Sequence, residues 1–123
     1  MVGTVARPHE LRDEIWIREE LTFGSDVRGG KTVSETEWQK FLDEVVTPRF
    51  PEGFSVSDGY GQYRMHQGTI IKEKNWTVTV YVREWTPSNE RAIEEIIRIY
   101  KDRFQQEAVM RATTTARVRF EES

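Results

Sequence analysis

The amino-acid sequence predicts an α+β fold, a ferredoxin-like split β-α-β sandwich with a four-stranded antiparallel sheet and two helices on one of its faces. Three observations carry this. Apolar residues recur with period two in four segments and with helical period in two others. The segments follow one another as β-α-β-β-α-β. Each helical segment is apolar along one stripe only, so each needs a sheet face to cover that stripe.

The first strand is expected over 12–23. Ile15, Ile17, Leu21 and Phe23 share one side, and Trp16, Arg18, Glu20 and Thr22 the other, which is the alternation of a half-buried strand. Residues 24–31 break the pattern, with Gly29 and Gly30 marking a flexible connector. A helix then begins at Ser34. Ser34 and Glu37 have capping-box spacing, in which each side chain satisfies a free backbone N–H. Trp38, Phe41, Leu42 and Val45 form its stripe. Pro48 is expected to stop it, because the residue before a proline is pushed out of the α region.

The second strand is expected over 54–64, with Phe54 and Val56 inward and Gly59 and Gly61 predicting a bulge or bend. Residues 66–68 are a turn. The third strand runs over 69–84, with Trp76, Val78, Val80 and Val82 on the core face, opposite Thr77, Thr79, Tyr81 and Arg83. Thr86-Pro87-Ser88 opens the second helix, proline being favoured in a first helical turn. Ile93, Ile96, Ile97, Tyr100 and Phe104 are its stripe. The last strand is expected over 109–120, with Met110, Ala112, Thr114, Ala116, Val118 and Phe120 inward. Trp38, Phe41, Val45, Ile93, Ile97 and Tyr100 are the expected buried set.

The 123 residues read as one domain, with 1–10 as a loosely ordered N-terminal segment. Apolar residues make up 37%, too many for a disordered chain. The net charge of −3 argues against a nucleic-acid partner, which calls for a basic surface. There is no cysteine, so disulfides, thiolate nucleophiles and cysteine zinc sites are excluded. No stretch approaches the ~20 apolar residues needed to cross a bilayer. Residues 1–10 have no apolar run of the kind an export leader carries. A cytoplasmic, soluble chain with no membrane partner is the expectation.

One run is distinctive: Trp38-Gln39-Lys40-Phe41-Leu42-Asp43-Glu44-Val45-Val46-Thr47-Pro48-Arg49-Phe50-Pro51-Glu52-Gly53. Asp58-Gly59-Tyr60-Gly61-Gln62 follows it, and Tyr100-Lys101-Asp102-Arg103-Phe104-Gln105-Gln106-Glu107 comes later. Over residues 21–120 the chain resembles a family of small bacterial proteins of unknown function, so the resemblance implies no activity. The family tends to Gly-Gln-Trp where this chain has Gly61-Gln62-Tyr63, and it usually carries an export or lipoprotein leader.

Candidate chemistry is sparse. Gly24 to Thr32 lies between a strand and a helix, but its glycine spacing does not make a phosphate loop. Arg49, fixed between Pro48 and Phe50, is either a structural arginine paired with a carboxylate such as Asp58 or a clamp for a small anionic ligand. Asp58, Tyr60, Gln62 and Tyr63 are candidates for acid, base or binding roles, or the hydrogen-bonded side chains of a bend. His9 and His66 lack ligand-like spacing, so no metal is expected, and no cofactor. Asn75-Trp76-Thr77 matches a glycosylation acceptor but falls inside a strand.

The sheet face away from the helices is expected to carry Trp16, Arg18, Glu20, Thr77, Thr79, Tyr81, Arg83, Thr113, Thr115, Arg117 and Arg119. Aromatic and arginine residues favour interfaces. A homodimer is therefore expected there, with Trp16, Arg18, Thr79, Tyr81, Arg83 and Arg117 as the candidate contacts. A solvated face is the plain alternative. Two functions follow: a non-catalytic interaction or small-ligand-binding domain that self-associates through its open face, or a small enzyme with a polar site between the Arg49 loop and the 58–63 strand.

Overall fold

A computed structural model describes residues 13–27 and 29–122. The N-terminal segment expected over 1–10, with His9, lies outside them. The elements are β1 (Glu14–Gly24), β2 (Asp26–Val27), β3 (Lys31–Thr32), α1 (Glu35–Phe41), β4 (Ser55–Arg64), β5 (Ile70–Val82), α2 (Pro87–Phe104) and β6 (Met110–Val118). Helix α1 runs on through a π-helical turn, Leu42–Val46, and one further turn, Thr47–Arg49. The main sheet has the order β4-β5-β1-β6 with every neighbour antiparallel. This is the ferredoxin-like arrangement read from the sequence.

Both helices lie on one face because their stripes meet the same strand residues. Trp38 of α1 stacks on Trp76 of β5, with centroids 4.6 Å apart and planes within 6°. Tyr100 of α2 packs edge-on against Phe23 of β1 at 4.7 Å and Phe41 of α1 at 5.1 Å. Leu21, Val78, Val80, Ile93 and Ile96 complete a core with almost no solvent contact. Of the six residues expected to be buried, five are; Ile97 is only partly covered, and Ile96 takes its place one position around the helix. The Tyr100 hydroxyl donates to the Gly24 carbonyl at 2.5 Å, so this large polar side chain is buried with its donor satisfied.

Both helix starts follow their sequence signals. Ser34 and Glu37 exchange capping-box hydrogen bonds at 3.1 and 2.9 Å, and Thr86 and Asn89 do the same at 3.1 and 3.0 Å.

Four expectations are corrected. Pro48 does not stop α1. Thr47 stays helical, and its N–H reaches back to Leu42 O across the π turn. That wider turn absorbs the missing proline N–H and the clash of its ring with the preceding turn. The chain leaves the helix only at Phe50. Residues 24–31 are not a loose connector but contain a small hairpin, β2 with β3, around Gly29 and Gly30. Buried Ser25 ties it to the sheet by donating N–H and Oγ–H to Lys74 O at 3.1 and 2.6 Å.

Strand β4 has no bulge. Its register with β5 is unbroken from Ser55↔Thr79 to Arg64↔Ile70. The last correction concerns β6, whose two faces are exchanged relative to expectation. Leu21 faces Arg111, Glu19 faces Thr113 and Ile17 faces Thr115, so the odd residues of β6 lie on the helix side. Met110 and Phe120, expected inward, are 63% and 65% exposed. The reason is Glu19, fully buried on the helix face of β1. A buried carboxylate needs charged partners. Arg111 supplies that charge, and Thr113 a further hydrogen bond, only if the odd residues of β6 point the same way.

Candidate functional site

The helices cover one side of the sheet, and the other side is open. Strand register places Thr22 and Gly24 of β1, Gly61 and Tyr63 of β4, and Glu73 and Asn75 of β5 together at one end of this open face. Their arrangement follows from alternation. In Lys72-Glu73-Lys74-Asn75, both lysines fall on the helix side, while Glu73 and Asn75 face outward.

Two glycines make room for the polar heads. A Cβ on Gly61 would lie 2.7 Å from the Tyr63 hydroxyl and 3.0 Å from Asn75 Nδ2. A Cβ on Gly24 would lie 2.6 Å from Glu73 Oε1. The Tyr63 hydroxyl lies beside the Asn75 and Glu73 side chains. The other Glu73 oxygen accepts the Asp26 N–H at 2.8 Å. Partial burial pushes the Tyr63 hydroxyl above its ordinary pKa, and the neighbouring charge of Glu73 adds to the rise. This hydroxyl therefore stays protonated at neutral pH, where it serves as a donor.

Two adjoining clefts open on these groups. One, about 300 Å³, is lined by Thr22, Gly24, Tyr63, Glu73, Asn75, Gln106, Ala108 and Met110. The other, about 450 Å³, shares Tyr63, Glu73, Gln106 and Ala108 and adds Asp26, Val27, Met65, Ile71, Gln105 and Glu107. The α2–β6 connection is held there by Gln106, whose Nε2 donates to the Asp26 carbonyl. Gln105 closes α2 in the left-handed conformation, φ 56°. The geometry can seat a small molecule against a tyrosine ring, with a carboxylate, an amide and a phenol to orient it.

The residues proposed from sequence do not form one site. Arg49 donates to Glu95 Oε1 of α2 at 3.0 Å and to the Val45 carbonyl at 3.0 Å. It joins the two helices and does not meet Asp58. Asp58 lies on the helix side of β4, 3.7 Å from Lys74, which also pairs with Glu35 at the start of α1. Glu35 and Arg49 stand at opposite ends of a helical run, about 20 Å apart at 1.5 Å per residue. Tyr60 and Gln62 share the Asp58 face, and Tyr60 is 84% exposed. Tyr63 alone of the five reaches the clefts.

Sequence reasoning missed Gly24, Glu73, Asn75 and Gln106. The usable signal was the 66–68 turn. With strands ending either side of it, register sets Gly61 opposite Glu73 and Gly59 opposite Asn75.

Of the interface candidates, Trp16, Arg18, Thr79 and Tyr81 lie on the open face, at the end of β1 away from the clefts. Arg83 joins them there, its guanidinium 5.1 Å from the Trp16 ring centroid. Phe120 packs edge-on against Trp16 at 5.9 Å. Arg117 faces the other way, opposite Ile15, as the exchanged phase of β6 requires. Its guanidinium lies 3.6 Å from Asp13.

Fold and clefts together define the class: a ferredoxin-like α+β protein whose uncovered sheet face carries an acid-bearing recess. The chain belongs to the family described as "Protein of unknown function (DUF3574)", which matches residues 18–120. No curated protein matches it. Among solved structures it is similar to a phage SAM lyase in complex with S-methyl-5'-thioadenosine. The identity is 12% and the TM-score 0.63, over 85% of this chain and 90% of the lyase. The apo phage SAM lyase aligns with TM-score 0.61 at 10% identity, over 99% of both chains. CutA from Synechococcus elongatus PCC7942, complexed with Bis-Tris, gives TM-score 0.52 at 13% identity, over 85% of this chain and 84% of CutA. At such identities the likeness is one of fold.

Proposed function

We propose that this chain is a small-ligand-binding domain that self-associates through its open sheet face, with its ligand seat at Tyr63, Glu73 and Asn75. The carrying observation is the pair of glycines. Glycine weakens a strand interior, as at Gly61 within β4, and Gly24 ends β1; a Cβ at either would press on the movable ends of Glu73, Tyr63 or Asn75. The two glycines leave these polar ends room at the mouth of a recess. Two structures of the same fold hold small molecules, S-methyl-5'-thioadenosine in the phage lyase and Bis-Tris in CutA, which supports this reading of the fold.

Self-association uses the other end of the face. Trp16 and Gly24 are eight residues apart on β1, about 27 Å in an extended strand, so a second copy seated on Trp16, Tyr81 and Phe120 leaves the clefts free. The charges there are balanced within the face, Arg18 with Glu20 at 2.8 Å and Arg83 with Glu14 at 3.4 Å. Two copies of it therefore meet without net repulsion.

The test has two arms. Sedimentation at high micromolar concentration is expected to give a dimer or larger for the native chain and a monomer for Trp16→Glu. A native monomer there refutes self-association. S-methyl-5'-thioadenosine and a panel of small amines and nucleosides are then titrated with amide chemical shifts as readout. Shifts confined to the Gly24, Gly61 and Asn75 region support the ligand seat; shifts only elsewhere refute it.

A further inference from the structure

The clefts have a chemistry that narrows their ligand. Among the described residues, neither is lined by a lysine or arginine. Alternation is the cause: Lys72 and Lys74 of β5 and Arg64 of β4 all fall on the helix side of the sheet. The carboxylates Glu73 and Asp26 stay on the cleft side. Around them the walls are apolar, with Met65, Ile71 and Met110 beside the Tyr63 ring.

That combination suits one kind of charge. A bare divalent ion wants several oxygen ligands at once, and among the described residues no three acidic or histidine side chains converge as a metal site. A bulky cation with alkyl groups on its charged atom is weakly hydrated and gains from an aromatic face as well as from a carboxylate. Resting on the ligand-binding reading above, we infer that the seat takes a small organic cation, an alkylated ammonium or sulfonium, held over the Tyr63 ring and neutralised by Glu73. The Asp26 N–H fixes the carboxylate, and Met65, Ile71 and Met110 offer apolar surface to the alkyl groups. An anion is disfavoured in the same place, because it would face Glu73 and Asp26 with no cation among the described lining residues to offset them.

The raised pKa of Tyr63 agrees with this picture: burial is its first cause, and the negative charge of Glu73 is its second.

The experiment uses the full chain and three probes of one shape: choline, its neutral carbon isostere 3,3-dimethylbutanol, and the anion 3,3-dimethylbutyrate. Amide chemical shifts are followed at Gly24, Gly61 and Asn75. Choline is expected to bind about tenfold more tightly than the isostere, a difference of about 1.4 kcal/mol, with the anion weakest. Glu73→Gln, which keeps an oxygen to accept the Asp26 N–H, is expected to erase the preference for choline over the isostere. If that variant loses its dispersed spectrum, Tyr63→Leu takes its place and should weaken choline more than the isostere. Equal or tighter binding of the isostere or the anion at these amides overturns the cation inference and leaves the seat standing. No shift there from any probe overturns both.

Discussion

The carboxylate of Glu19, wholly shielded from solvent on β1, is gripped by the Arg111 guanidinium of β6 through two hydrogen bonds of 3.1 Å. Thr113 adds a third to Glu19, at 2.7 Å. The rest of the guanidinium donates to Glu90 of α2 at 2.8 Å through each of Nη1 and Nη2. One arginine thus ties the edge strand, the central strand and a helix.

Removing that arginine leaves a buried carboxylate without its counter-charge. Arg111→Met is expected to destabilise the fold by about 3–5 kcal/mol, the range for breaking a buried ion pair from one side. Urea denaturation measures it. A loss under about 1 kcal/mol would mean that Glu19 is solvated in the native protein.

Glu90 gives the same network a pH signature. Hydrogen bonding from Arg111, and then from Trp85, brings its carboxyl down from the ordinary 4.5 to about 2. A depressed acid contributes stability that is complete above its unfolded pKa and is lost as pH falls through its folded one. The wild type should therefore lose stability between about pH 4.5 and 2, and Glu90→Gln should flatten that part of the curve. Melting temperature against pH for both proteins decides it; parallel curves would refute the linkage.

Gly61→Ala tests the reserved space on β4. Its methyl collides with the tip of Tyr63, which can swing outward, so the fold is expected to persist. Once displaced from Glu73, Tyr63 should titrate closer to its ordinary pKa, since both the burial and the neighbouring charge that raised it are reduced. Site-resolved NMR titration of the tyrosine ring shows this. An unchanged Tyr63 titration would mean the space was never needed.

Arg49→Ala removes one pairing with an exposed Glu95 and one bond to a helix carbonyl. A loss of about 1 kcal/mol is expected. Phosphate should leave the melt of either protein unchanged, because this guanidinium is engaged between helices. Stabilisation of the native chain alone by phosphate would restore the anion-clamp reading.

The element order and the helix stripes were legible because burial imposes period on sequence. Trp38, Phe41, Val45, Ile93 and Tyr100 are such a case. Two things were not legible. The phase of β6 depended on Glu19, a charge on a core face, and apolar counting passes over it in favour of Met110 and Phe120. The clefts depended on cross-strand register: Tyr63 was visible, but Glu73 and Asn75 join it only when β4 and β5 are folded back on each other. Gly61 looked like a defect in β4 and is instead a clearance for its neighbour. Pro48 looked like a terminus, because local sterics disfavour a helical residue before proline, and the π turn overrides them.

The sheet order also bears on how the chain is made. Strand β1 is central but is made before both of its partners: Leu21 waits for Val78 on one edge and Arg111 on the other. Until β5 is made it is a strand with two open edges, and until β6 is made it keeps one, the kind of segment that joins neighbouring nascent chains. Its own carboxylate guards it. Until Arg111 arrives, Glu19 is a solvated charge among Ile17, Leu21 and Phe23, and any premature docking of that face must strip it of water with nothing in return. The same side chain that clasps the finished sheet thus disfavours burial of that part of β1 before β6 is present.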